Sequence, residues 1–463
     1  MTLIKSISGI RGTIGGNTGD NLTPIDAVKF ASAYGAFIKN RNLNKKNITV
    51  VIGRDARISG KMISSLVANT LVGLGINVVD LGLSTTPTVE VAVPLENADG
   101  GIILTASHNP KQWNALKLLN EKGEFLNGEE GEKILALAES EEFSFADVDD
   151  LGTYTKNKTY LQKHIQEVLN LDLVDVEAIK QSNFKVVVDG VNSTGGIFIP
   201  ALLKELNVEC VELYCTPNGD FPHNPEPLKE HLKDISELVV KEKADFGIVV
   251  DPDVDRLALI AEDGSMFGEE YTLVACADYV LGKLGGGNTV SNLSSSRALR
   301  DITQKHGGTY TASAVGEVNV VIKMKETNTV IGGEGNGGII YPASHYGRDS
   351  LVGVALFLSH LANKKISCKE LRDSYPSYFM SKNKIQLTPQ INVDKILETM
   401  ASKYANEEVN TIDGVKIDFK NEWIHLRKSN TEPIIRIYTE ATSQQKADDL
   451  ANRFINEIKE IIA

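Results

Sequence analysis

Asp251, Asp253 and Asp255 stand at alternate positions behind the apolar run Phe246-Gly247-Ile248-Val249-Val250, and Arg256 follows directly. Carboxylates this close repel one another, and a divalent cation bound through oxygen relieves the repulsion; an all-oxygen set suits Mg2+. An EF-hand loop also begins Asp-x-Asp-x-Asp, and Glu262 even falls at its twelfth position. Its sixth position needs glycine, however, and here it is Arg256, behind a strand rather than a helix. A solvated acidic loop is the plain alternative. Arg256 weighs against it, because a guanidinium there can contact the same phosphate that a cation polarises.

A second group lies far upstream, in Thr105-Ala106-Ser107-His108-Asn109-Pro110. A strand ending at Thr105 and a turn at Asn109-Pro110 would lift the Ser107 hydroxyl clear of the sheet. Alone, Ser107 reads as a helix cap and His108 as a structural residue. Phosphorylated, Ser107 would carry close to two negative charges, supply the cation with a fourth oxygen and act as a phosphoryl donor. Lys117 follows in Ala-Leu-Lys-Leu-Leu, ahead of the turn Asn120-Glu121-Lys122-Gly123, a hairpin pattern. Near the C-terminus, Arg427-Lys428-Ser429-Asn430-Thr431-Glu432-Pro433 precedes Arg436. A guanidinium fork, two hydroxyls, an amide and loop N–H groups make a phosphate nest, with a polar turn as the alternative. In Gly332-Gly333-Glu334-Gly335-Asn336-Gly337-Gly338 the glycines are too many for a strand interior. They allow a ligand close to the backbone, and Glu334 and Asn336 can accept from and donate to sugar hydroxyls. Neither this loop nor Gly190 to Gly196 fits a P-loop or dinucleotide fingerprint.

These groups need strand ends to hold them. Ile48 to Gly53, Ile76 to Asp80 and Gly101 to Thr105 read as strands around the helix Ser59 to Leu74 and a short helix after Pro87, the pattern of a mainly parallel sheet with ligands beyond its carboxyl ends. Glu139 to Asp150 reads as a solvated connection. A second unit follows, with a helix over Tyr160 to Leu169 and strands Phe184 to Asp189 and Phe246 to Val250; its Pro-rich stretch Phe221 to Pro227 can be neither helix nor central strand. A third has the helix Tyr271 to Leu284 and the strand Thr289 to Leu293. Ile48–Arg57, Phe184–Gly196 and Thr289–Arg297 repeat one strand–loop–helix pattern. In the tail, strands at Lys384 to Leu387, Val415 to Phe419, Trp423 to Leu426 and Ile434 to Tyr438, with helices at Val393–Tyr404 and Ser443–Ile461, predict a small α+β domain with an antiparallel sheet.

Length and composition set the frame. With 463 residues, 42% hydrophobic and 24% charged, the chain has the make-up of a globular enzyme of about three domains or more. A net charge of −13 argues against non-specific binding to nucleic acid or anionic membranes. No apolar run approaches the ~20 residues of a membrane span, and Met1 to Gly16 lacks a signal-peptide core. The four cysteines form no CxxC pair and fit buried thiols in a reducing cytoplasm.

Together, Thr105–Pro110, Asp251–Arg256, Gly333–Gly337 and Ser429–Pro433, with Ser8-Gly9-Ile10-Arg11-Gly12 at the start, resemble the α-D-phosphohexomutase family in its own motif order. The resemblance spans essentially the whole chain. It implies three related α/β domains with mixed, mainly parallel sheets (1–150, 151–258 and 259–375) and a smaller α+β domain (376–463) around one cleft. It implies that phosphoserine 107 gives its phosphoryl group to a hexose monophosphate, and that a sugar 1,6-bisphosphate turns over without leaving. Ser107, Asp251, Asp253 and Asp255 would hold Mg2+. Lys117 would take the proton of the attacking hydroxyl, its pKa lowered by Arg11 and the metal, with His108 alongside. Arg256, Glu334, Asn336, Arg427, Ser429, Asn430, Thr431 and Arg436 would bind substrate. The sugar loop departs from the common Gly-Glu-x-Ser-Gly, with Asn336 for serine and Gly338 where many members have histidine. Its wording is similar to archaeal-type phosphoglucosamine mutases, so glucosamine phosphate is the expected substrate, with glucose or mannose phosphate as the alternative. A haloacid-dehalogenase-type phosphatase would phosphorylate Asp251 or Asp253 instead, and leaves the Ser107 and Ser429 motifs unexplained. A non-catalytic sugar-phosphate binder would need no nucleophile. The expected protein is a cytoplasmic monomer or homodimer whose last domain hinges near Tyr375-Pro376-Ser377.

Overall fold

Phe246–Val250 and Gly100–Leu104 are buried along their whole length, as continuous apolar strands inside a parallel sheet should be. The computed structural model describes residues 2–6, 9–386, 391–428 and 434–462. Ser8 and the loop formed by Ser429, Asn430, Thr431, Glu432 and Pro433 lie outside the described residues.

The first three units share one wiring: strand, helix, parallel strand, helix, parallel strand, then a strand that returns antiparallel beside the last. In the first unit these are Thr49–Arg54, Gly60–Gly73, Asn77–Leu83, Thr86–Leu95, Gly100–Leu104 and Trp113–Leu119. In the second they are Lys185–Asp189, Gly195–Glu205, Glu209–Leu213, Lys233–Glu242, Phe246–Val250 and Leu257–Ala261. In the third they are Thr289–Asn292, Ala298–Lys305, Tyr310–Ser313, Glu317–Glu326, Ile331–Glu334 and Gly338–Ile340. The strand–loop–helix repeat is therefore the opening of a longer repeat. One turn recurs in all three units, joining the last parallel strand to its antiparallel neighbour. It carries Ser107 in the first unit, the aspartates in the second and Asn336 in the third.

The first sheet adds the antiparallel strands Ile4–Ser6 and Gly9–Thr13 on one side and Tyr154–Lys156 on the other. It thus runs past residue 150, where the sequence pattern changes. Lys117 lies in a hairpin, but its partner strand is Gly100–Leu104, and the Ser107 turn joins the two; beyond it, Leu119 makes only a single bridge, to Phe125.

The glycine-rich segment corrects one expectation. Gly332, Gly333 and Gly338 lie inside strands. A side chain at Gly332 would meet the Val290 carbonyl oxygen at 2.7 Å, so close packing selects glycine there against its ordinary strand preference.

The second and third units share one apolar core, from Ile165 and Phe198 through Phe246 and Leu273 to Phe357. The C-terminal unit has its own core around Ile417, Ile437 and Phe454. Its antiparallel sheet runs Phe379–Gln386, Ile434–Ala441, Trp423–Lys428, Val415–Asp418 and Glu408–Asn410, the last a short strand the sequence pattern does not reveal. The helices Val393–Lys403 and Gln444–Ile462 complete it. Arg297 of the third unit reaches into this domain and donates to Asp418 and to the carbonyls of Phe419, Lys420 and Glu422.

Candidate active site

Ser107 and Asp251, 144 residues apart, meet with the serine Oγ donating to Asp251 Oδ2 at 2.7 Å. Ser107 adopts φ 47°, a left-handed conformation that costs a non-glycine residue about 1–2 kcal/mol. Its loop is held in that shape by Arg57, which sequence reading passes over. The guanidinium is fully buried and uses all five donors: Nε to Asp55 Oδ2 (2.9 Å), Nη1 to the carbonyls of Pro110 (2.7 Å) and Trp113 (3.0 Å), and Nη2 to those of Asn109 (2.6 Å) and Ser107. Asp55 also accepts from Thr105 Oγ1, whose oxygen in turn accepts the Ser107 N–H. The serine is thus pinned from both sides.

The aspartate loop holds its own strain. Val254, β-branched and buried, sits at φ 65° between Asp253 and Asp255. That bend lets Asp251 Oδ1 accept the N–H groups of Asp255 and Arg256, both at 3.1 Å. The three aspartates offer oxygens within 4.8 Å of one another and are all buried. Asp253 Oδ2 accepts from Lys117 Nζ (2.7 Å) and Thr86 Oγ1, and Asp255 Oδ2 from Arg348 Nη2 (2.7 Å) and Lys117 (3.2 Å). Asp253 Oδ1 and Asp255 Oδ1 are buried with no hydrogen-bond partner. Two orphaned carboxylate oxygens in one acidic cluster fit a hard divalent cation.

Charge in this cluster is uneven. Burial, then Asp255 and Asp253, push Asp251 well above the usual carboxylate range. Burial works the same way on Asp255, but Arg348, Lys117 and Arg256 overcome it and hold that residue below the range. Burial lowers the pKa of Lys117, yet Asp253 and Asp255 outweigh it, so the lysine is held above its ordinary value. The lowering expected from Arg11 is not found; the cation that opposes the lysine charge is Arg348. Arg11 pairs with Ala115, two residues before Lys117 on the same strand, and its side chain makes no hydrogen bond or ion pair among the described residues. Burial and Arg256 both weaken its proton affinity. His108 Nδ1 lies 3.3 Å from Ser107 Oγ, and burial, then Arg256, keeps the ring well below the ordinary histidine pKa.

Arg348 ties this centre to the third unit. Its Nη1 donates to Glu334 Oε2 at 2.8 Å, and Glu334 Oε1 accepts from Asn292 and from the Gly316 N–H. The sugar-type loop also docks directly on the aspartate loop: the Leu257 N–H donates to the Gly337 carbonyl, and Gly337 has φ 87° with the Leu257 carbonyl 2.3 Å from where a side chain would start. Only glycine fits there. Asn336 Oδ1 accepts from the Gly338 N–H within the turn. Arg256 Nη1 reaches Glu226 at 3.3 Å, while its buried Nε has no partner. Arg427 and Arg436 are cross-strand neighbours on the strands that flank residues 429–433, and Asp413 stands 3.6 Å from Arg427.

Models of the phosphoglucomutase/phosphomannomutase family match the chain in four consecutive stretches: alpha/beta/alpha domain I over residues 3–145, domain II over 160–264, domain III over 268–378 and the C-terminal domain over 386–457. The chain belongs to the α-D-phosphohexomutase family. It is 36% identical over 456 residues to a phosphoglucomutase/phosphomannomutase of Thermococcus kodakarensis, covering 97% of this chain and 98% of that protein. It is 33% identical over 472 residues to a phosphoglucosamine/phosphogalactosamine mutase of Sulfurisphaera tokodaii, covering 100% and 99%. The crystal structure of a phosphoglucomutase/phosphomannomutase family protein from Burkholderia thailandensis superposes with a TM-score of 0.85 at 26% identity, covering 98% of this chain and 97% of that one. Among the described residues no helix is long and apolar enough to cross a membrane.

Against this phosphohexomutase frame, the residues missed in the sequence are Arg57, Thr86 and Arg348. Arg348 had a local signal, since Gly347-Arg348-Asp349 precedes a helix that Asp349 caps. Arg57 had none.

Proposed function

We propose that this chain is a Mg2+-dependent phosphohexomutase that interconverts glucosamine 6-phosphate and glucosamine 1-phosphate through phosphoserine 107. The observation that carries the chemistry is Ser107 Oγ on Asp251, inside a buried acidic cluster with two orphaned oxygens and Lys117 at its edge. Asp251, Asp253 and Asp255, with a phosphate oxygen on Ser107, would hold Mg2+, which supplies charge neutralisation for the transferring phosphoryl group.

In the cycle, the bond between phosphorus and Ser107 Oγ breaks as a bond to the free hydroxyl of the hexose monophosphate forms, giving the sugar 1,6-bisphosphate. The hydroxyl proton leaves to Lys117 Nζ. Asp253 and Asp255 raise the proton affinity of that amine and Arg348 opposes them; with the two carboxylates engaged as metal ligands, Lys117 would lose that support and could accept the proton. His108, neutral and 3.3 Å from Ser107 Oγ, can hold the serine oxygen by a hydrogen bond, while the proton taken up by Lys117 is given back when the second transfer frees the other sugar oxygen. The bisphosphate then presents its other phosphate and the steps run backwards. Arg11, Arg256, Arg427 and Arg436, with Ser429, Asn430 and Thr431, bind the phosphate that is not reacting. Glu334 and Asn336 read the sugar. Glu334, held by Arg348, is the acidic group of that loop and the candidate partner for an ammonium group on the substrate. The Sulfurisphaera relative's name supports the same choice, whereas the Thermococcus relative's name supports glucose and mannose phosphates.

The test is turnover of glucosamine, glucose and mannose 6-phosphates with the matching bisphosphate present, using Ser107→Ala as the control. The expected order puts glucosamine 6-phosphate first and finds Ser107→Ala inactive on all three. Glucosamine 6-phosphate turning over slowest refutes the sugar assignment; an active Ser107→Ala enzyme refutes the phosphoserine.

A further inference from the structure

Behind the cleft, the first three units meet at a second group of metal-type donors. His164 on the helix Tyr160–Leu169 and His345 in the loop after Gly338–Ile340 both point Nε2 at Asp349 Oδ2, at 2.9 and 3.2 Å. The three residues offer ligand atoms within 4.8 Å of one another. The far side of each ring is also engaged. His164 Nδ1 lies 2.8 Å from Thr88 Oγ1, and His345 Nδ1 lies 3.5 Å from Glu90 Oε2. Thr88 and Glu90 share the helix Thr86–Leu95. The Glu90 side chain is 1% exposed, and neither of its oxygens has a hydrogen bond.

Counting protons shows what is missing. A neutral imidazole has one N–H. If His345 spends it on Asp349, its Nδ1 turns a lone pair towards the Glu90 carboxylate, which stays buried without a donor. A cation at the point shared by the two Nε2 atoms and Asp349 Oδ2 reverses this. Both rings then carry the proton on Nδ1, His164 donating to Thr88 and His345 to Glu90, and the two carboxylates gain a counter-charge. Ligand distances of about 2.0–2.2 Å at tetrahedral angles separate neighbouring ligand atoms by about 3.3–3.6 Å. The observed 2.9 and 3.2 Å are hydrogen-bond distances that a bound cation would open by a few tenths of an ångström.

We propose that His164, His345 and Asp349 bind a transition-metal cation of the zinc type, with Thr88 and Glu90 orienting the two imidazoles. The donor set is two imidazoles and a carboxylate, which selects against Mg2+. The site is structural and braces the catalytic cluster from behind. Asp349 follows Arg348, which holds Asp255 and Glu334, and the helix of Thr88 and Glu90 begins at Thr86, which holds Asp253. The assignment does not depend on which sugar the enzyme uses.

The test uses the full chain, stripped with EDTA, returned to excess Mg2+ to fill the aspartate triplet, and titrated with Co2+. One Co2+ per chain should resist Mg2+, with visible ligand-field absorption and imidazole scattering in the X-ray absorption spectrum. His345→Gln should lose both signals, Asp253→Asn should keep both, and Glu90→Gln should weaken Co2+ binding about 10–100-fold. The wild-type X-ray absorption spectrum decides by itself if a variant fails to fold. Absence of imidazole scattering, unchanged Co2+ uptake in folded His345→Gln, or loss of uptake in Asp253→Asn would each overturn the proposal.

Discussion

Replacing Arg57 by lysine preserves charge and removes geometry, which makes it the sharpest probe of how Ser107 is held. The guanidinium donates five hydrogen bonds, four of them to main-chain carbonyls of the Ser107–Trp113 segment. An ammonium has three donors on one atom and cannot span that arc. At least two of the five acceptors then lose their donor, and hydrogen bonds to a charged group are worth about 1.5–3 kcal/mol each, so the loop loses about 3–6 kcal/mol. This exceeds the about 1–2 kcal/mol that the left-handed Ser107 stores, so the serine relaxes out of its native φ of 47°. A displacement of about 1 Å at the reacting atom costs about 10²-fold in rate. The assay is kcat/KM for the forward mutase reaction beside hydrogen exchange of the amides of residues 105–113. The expected result is a fall of about 10²-fold or more with loss of protection confined to that loop. An Arg57→Lys enzyme within threefold of wild type, with the loop still protected, would refute the reasoning.

Other perturbations reach different parts of the molecule. Asp253→Asn should cut kcat about 10²-fold or more, raise the Mg2+ concentration needed for half activity and leave KM nearly unchanged; an unaltered Mg2+ requirement counts against the ligand assignment. Burial pushes His425 down to about 4 from its ordinary 6.5, where it links Ser294 to the Asp413 carbonyl between the third and fourth units. Its folded pKa is depressed, so its contribution is complete above pH 6.5 and fades towards pH 4, about 2 kcal/mol of it by about pH 5. Urea unfolding followed by Trp423 fluorescence in a Trp113→Phe background should show that acid limb, and His425→Gln should flatten it. The C-terminal unit has a separate core and is tied to the third unit by polar contacts from Arg297, so we expect it to pivot near Tyr375-Pro376-Ser377. Arg297→Ala should increase the radius of gyration in X-ray scattering, and substrate should contract it; identical scattering curves for free, bound and variant protein would rule the pivot out.

Much of this molecule is written in local sequence. The apolar runs ending at Leu104 and Val250 announce buried strands, because a strand inside a parallel sheet is apolar on both faces. The spacing of Asp251, Asp253 and Asp255 announces a cluster that needs positive charge, because three neighbouring carboxylates repel one another. Motif order and residue type were enough for the family, and for an expectation of where Ser107 and Lys117 would stand. Other features exist only once the chain is folded. Ser107 and Asp251 are joined by the way two units face each other across 144 residues. The charge state of Lys117 runs opposite to the expected direction because Asp253 and Asp255, not Arg11, are its nearest charges. Glycine stands at strand positions 332 and 333 because a neighbouring backbone comes too close for any side chain. His164, His345 and Glu90 come together from three units that share no motif. Arg57 shows the general reason. Four of its five partners are main-chain carbonyls, which every residue carries and no residue type advertises, so only the tertiary structure could reveal what it holds.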